Sequence, residues 1–122
     1  MNIKLADNYS LKLTLAVLSI LSSSLAHAYD PYDCIGEAAA VDPNINKGLV
    51  TELCSAAWSP EPARCYAAVS LVDADMPRGL AVELCAGSED ASRTIDCYAN
   101  MGEYDLNRGL TITLCSASKN KN

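Results

Sequence analysis

Histidine is almost absent: the chain holds one, His27. There is no Cys-x-x-Cys motif and no apolar run of twenty residues. Each gap excludes something. A spanning helix needs about 20 apolar residues, whereas the longest run here, Leu13–Leu21, has nine. Without a Cys-x-x-Cys, neither a thioredoxin-type site nor a paired-cysteine zinc site can form.

The N-terminus sets the compartment. Residues 1–28 read as a secretory signal peptide, with Lys4 and Lys12, then the apolar run, then Ala26-His27-Ala28 as a small-x-small cleavage signature. Cleavage after Ala28 removes His27. The remaining chain then lacks the usual general base, the usual zinc ligand and any Ser-His-Asp triad. The expected location is periplasmic or secreted, with no membrane insertion after cleavage.

Removing Lys4, Lys12 and Asp7 from nine basic and 15 acidic residues leaves seven and fourteen, a net charge of −7 on residues 29–122. Nucleic acid is not expected as a partner, because phosphates demand basic surface. All six cysteines, at 34, 54, 65, 85, 97 and 115, lie in this part. An even count in a short exported chain points to disulfides.

The cysteine intervals are 20, 11, 20, 12 and 18, an alternation that signals a repeat. Lys47-Gly48-Leu49-Val50-Thr51-Glu52-Leu53-Cys54 aligns with Arg78-Gly79-Leu80-Ala81-Val82-Glu83-Leu84-Cys85 and Arg108-Gly109-Leu110-Thr111-Ile112-Thr113-Leu114-Cys115. Upstream, each first cysteine opens Cys-x7-Asp, ending at Asp42, Asp73 and Asp105. Unit three lacks two residues between that Asp and the basic-Gly-Leu, as expected of a loop.

Within units the periodicity is helical. Cys65, Ala68, Val69 and Val72 share one face, as do Cys34, Ala38 and Val41, and Cys97, Met101 and Tyr104. Asn46 and Asn107 suit N-caps, and Pro77 the first turn of the second helix. The expected fold is all-α: three tandem disulfide-pinned αα-hairpins (34–56, 65–87, 97–117) in one domain, 29–122, forming a short solenoid or compact bundle. An antiparallel hairpin brings its two cysteines together, which predicts Cys34–Cys54, Cys65–Cys85 and Cys97–Cys115. The rival set, Cys54–Cys65, Cys85–Cys97 and Cys34–Cys115, joins neighbouring units, and sequence alone does not choose between them.

These Cys-x19-Cys hairpins with Gly-Leu-x3-Leu-Cys resemble short cysteine-paired helical repeats of exported bacterial proteins without assigned function. The resemblance spans Cys34 to Cys115 and implies a fold, not an activity. Tetratricopeptide repeats are longer, and Sel1-type repeats set their cysteines closer.

Candidate sites are few. Asp42, Asn44, Asn46 and Gly48 loosely resemble a calcium loop, but the glycine is one place late and Leu53 stands where a bidentate Glu belongs. No metal, cofactor or catalytic residue is expected. Lys47, Arg78 and Arg108 oppose the dipole of the helices they begin. They are expected to pair across the turn with Asp42, Asp73 and Asp105 of their own units. The sharper reading is a row of cations shown to a ligand. Trp58 is expected to pack at the seam between units one and two, or else to anchor a partner. Tyr66 and Tyr98 are expected to pack between units. The lead-in Tyr29-Asp30-Pro31-Tyr32-Asp33 is expected to be unstructured, and the tail from Ser116 to fray. The function these features favour is a protein-interaction module with a protein partner. The alternatives are a structural envelope or matrix component and a secreted disulfide-rich effector or inhibitor.

Overall fold

A computed structural model describes residues 27–117. The signal-peptide expectation falls almost wholly outside them, and so does most of the tail. Six α-helices follow one another: α1 (Pro31–Val41), α2 (Lys47–Cys54), α3 (Glu61–Val72), α4 (Arg78–Cys85), α5 (Ala91–Asn100) and α6 (Arg108–Cys115). A 3-10 turn, Met101–Tyr104, extends α5. There is no strand among the described residues, and no helix there is long and apolar enough to cross a membrane.

The start and stop signals are local. Asn46 and Asn107 cap α2 and α6, their side chains accepting from the N–H of Leu49 and Leu110 at 2.9 and 3.0 Å. Asp90 does the same for α5 through Arg93. Pro77 departs from expectation. It is the N-cap of α4 rather than a first-turn residue, and it supplies no side-chain cap. Its fixed φ sets the entry angle there instead.

The lead-in also differs from expectation. Asp30 caps α1, accepting from Tyr32 and Asp33, and the Asp33 carboxylate returns to the Asp30 N–H at 3.0 Å. That capping box orders the segment. Tyr29 is half-buried against the core, and its hydroxyl donates to Glu37. At the far end, Ser116 is fully buried and its hydroxyl donates to the Glu83 carbonyl, so the tail does not fray there.

Each hairpin closes on itself through the within-unit set: Cys34–Cys54, Cys65–Cys85 and Cys97–Cys115, with Cα separations of 5.6, 5.4 and 5.7 Å. The rival set does not occur. The hairpins stack in two layers, α1–α3–α5 and α2–α4–α6, each helix touching its equivalents in adjacent units. The first-helix faces end sooner than their periodicity suggests. Cys34, Ala38, Cys65 and Val69 are buried, but Val41, Val72 and Tyr104 are exposed. Each of these three lies just before an Asp that ends the helical segment.

The core is a thin seam of small and aliphatic side chains between units. Leu53, Val82, Leu84 and Ile112 are its largest fully buried apolar members. Connectors turn sharply out of α2 and α4. Ala56 and Gly87, equivalent in the repeat, both take positive φ, 54° and 75°. Glycine suits that conformation and alanine tolerates it at a cost of about 1 kcal/mol.

Candidate functional site

The most organised polar features lie between units. Asp42 ends α1, its backbone N–H donating to Ala38. Its carboxylate receives Arg78 Nε at 2.6 Å, Arg78 Nη2 at 3.2 Å and the Tyr66 hydroxyl at 2.7 Å. One unit on, Asp73 ends α3 and receives Arg108 Nε and Nη2, both at 2.7 Å, and the Tyr98 hydroxyl at 2.7 Å. Each clamp therefore unites three positions: the Asp of one unit with the Tyr and Arg of the next.

This corrects the expected pairing. The arginines bind acids, but those of the preceding unit rather than their own. Stacking brings the end of the preceding unit's first helix beside the Arg at the first position of the second helix. Tyr66 and Tyr98 do pack between units, as expected, and their hydroxyls carry the polar part of the joint. With Arg78 and Arg108 engaged as bidentate forks, the cation row is largely occupied within the chain. Among the described residues no unit precedes that of Lys47, and Lys47 is exposed.

The electrostatics follow from the contacts. The Arg78 hydrogen bond, then that of Tyr66, holds the Asp42 carboxyl down at about 2, against the opposing effect of burial. Arg108 does the same for Asp73, also at about 2, with Tyr98 adding to it. Burial and then the Asp42 hydrogen bond push the Tyr66 phenol up to about 12. The Tyr98 phenol is raised for the same reasons, through Asp73.

The direction of the pH effect follows. An unfolded aspartate titrates near 3.9, and these two titrate lower when folded. Their stabilisation is complete above pH about 4 and lost as pH falls through about 2. The double variant Asp42→Asn/Asp73→Asn is expected to lose about 1–2 kcal/mol per site at neutral pH, allowing for the half-exposed arginines. Thermal melts from pH about 6 to about 2 check this, since the gap between wild type and variant should close with falling pH. A constant gap would place the loss in packing rather than charge.

Trp58 departs from the expected seam packing. It is 70% exposed, on the connector between α2 and α3. Ala57 before it and Pro62 in the first turn of α3 are buried and hold the connector's ends down. The indole borders an open depression of about 310 Å³ with Ala56, Ser59, Pro62, Gly87 and Glu89. The structure thus brings Arg78 and Arg108 into successive joints but does not bring Trp58 or Lys47 to them.

One grouping among the described residues has metal-ligand atoms close together: His27, Asp30 and Asp33, within 4.8 Å. Helix capping accounts for both carboxylates. His27, 3.0 Å from Asp33, lies ahead of the expected cleavage point. No metal is assigned there.

The inter-unit carboxylates were missed as joint acceptors in the sequence. The signal was present: unit one has Ile35 and Lys47 where units two and three have Tyr and Arg. Comparison with protein-family models, curated proteins and solved structures gives no match, so the chain is placed by its fold alone: a small cysteine-rich, all-helical protein of three disulfide-closed hairpins.

Proposed function

We propose that the chain is exported and acts as a protein-interaction module, with the Trp58 edge as its contact surface. The single observation that carries this reading is the exposure of a large aromatic on a connector fixed between two disulfide-closed hairpins. Tryptophan is favoured in binding hot spots because it covers much area with little rotamer entropy to lose. A rigid support lowers the ordering cost of association further. Three disulfides suit an oxidising compartment, and the N-terminal segment supplies the route. The reading assigns no catalytic step and no cofactor.

The test is capture. Oxidised protein is immobilised and exposed to envelope extract and culture components, beside a reduced and alkylated control and a Trp58→Ala variant. A protein retained by the oxidised wild type, and at least about tenfold less by both controls, is the expected result. Equal retention by Trp58→Ala would move the contact surface elsewhere on the array. Nothing retained above the reduced control would turn the reading toward a structural component of the envelope or matrix.

A further inference from the structure

We infer that the chain associates with further copies of itself head to tail, the C-terminal unit of one receiving the N-terminal unit of the next. The clamp register carries this. Both arginines of the row reach back one unit: Arg78 to Asp42 and Arg108 to Asp73. The offset leaves one member of each row over, at opposite ends and with opposite sign. Lys47 begins α2 in the first unit, and Asp105 ends the helical segment of the third. Both are exposed, and neither has a side-chain partner among the described residues. A second copy continues the existing register by placing its Lys47 against Asp105.

The apolar part of the joint continues too. Leu80 in unit two is half-buried, whereas its equivalent Leu110 is 53% exposed. At the other end Ile35, equivalent to the joint-filling Tyr66 and Tyr98, is 42% exposed. The occupant is thus a copy of this chain, identified by charge complementarity and by continuity with the joints inside it.

The joint between copies is weaker than the internal ones, for stated reasons. Lysine lacks the bidentate fork of arginine. Ile35 brings no hydroxyl, and Thr51 stands where Val82 and Ile112 are buried. The shorter turn of unit three also leaves Asp105 in a left-handed conformation, φ 54° and ψ 36°, unlike Asp42 and Asp73. Association is therefore reversible, concentration-dependent and salt-sensitive. Because the surfaces are heterologous, it extends beyond a dimer. It does not rest on the interaction reading above, since self-association and capture of a foreign protein are separate measurements.

Sedimentation of the purified, oxidised protein over a wide concentration range tests the inference. The wild type is expected to form an open series of species. Lys47→Glu or Asp105→Lys should each weaken association at least about tenfold by setting like charges together. An equimolar mixture of the two variants should restore the series, because alternate joints then carry a native pair and a reversed pair. That rescue also shows both variants folded. A wild type that stays monomeric throughout overturns the inference. So does a series that stops at a dimer, or one that neither charge reversal weakens.

Discussion

Reducing and alkylating all three disulfides will unfold the protein at room temperature, with loss of most far-ultraviolet helical signal. The helices have eight to twelve residues, too few to persist alone. The inter-unit core is a seam of mostly small side chains. Chains this short bury a modest fraction of their surface. Each disulfide closes a span of 18 or 20 residues, contributing roughly 3 kcal/mol in the chain-entropy view. Three such contributions are comparable to the whole net stability of a small domain, about 5–15 kcal/mol. Circular dichroism before and after reduction reads the result. A reduced protein that keeps a cooperative melt would show that stacking and the Asp–Arg–Tyr clamps suffice without the covalent links. Reduced protein is accordingly the strictest control for any binding measured with this chain.

Replacing the leucine before the second cysteine of the repeat will cost much in units one and two and little in unit three. Leu84→Ala is expected to cost about 2–5 kcal/mol, the range for a fully buried leucine whose site relaxes only in part. Leu53→Ala should fall in the same range, since both side chains are 0% exposed. Leu114 holds the equivalent position but is 53% exposed, so Leu114→Ala should cost less than about 1 kcal/mol. Among the described residues, units one and two are followed by another hairpin and unit three is not, which accounts for the difference. Each kcal/mol lowers the melting temperature by about 4–8 °C in a chain of this size. Leu84→Ala should therefore melt at least about 8 °C lower, a gap that calorimetry resolves. Equal costs at all three positions would mean that Leu114 is buried in solution by something outside residues 27–117.

Much of the fold was legible because its determinants are local or covalent. Asn46 and Asn107 cap whatever helix follows them, and the antiparallel hairpin brings its own cysteines together. The helix type and the disulfide pairing need no knowledge of how hairpins meet. What was not legible depends on stacking. Arg78 was expected to pair with Asp73 of its own unit, but sequence proximity is a poor guide where the preceding hairpin presents a nearer carboxylate, Asp42. Trp58 was expected at the seam, but it is exposed on the connector while its small neighbour Ala57 joins the core instead. The order of Asp30-Pro31-Tyr32-Asp33 was hidden by its composition, acidic and aromatic, although Asp30 and Asp33 sit at capping-box spacing. The missed joint had a sequence trace in the unit-one exceptions, Ile35 and Lys47, which make sense only once each unit is known to lean on the one before it.

Unit two alone carries both halves of the joint: Tyr66 and Arg78 toward its predecessor, Asp73 toward its successor. It is therefore an interchangeable part. Duplicating the stretch from Glu61 to Asp90 in tandem would lengthen the array by one hairpin while matching the added joint carboxylate, a second Asp73, to an arginine of the following unit. Neither terminal unit has that property, since unit one has Ile35 and Lys47 in place of the joint tyrosine and arginine, and unit three closes with a shortened turn. Array length is thus set by how many middle units are inserted, at unchanged chemistry per joint.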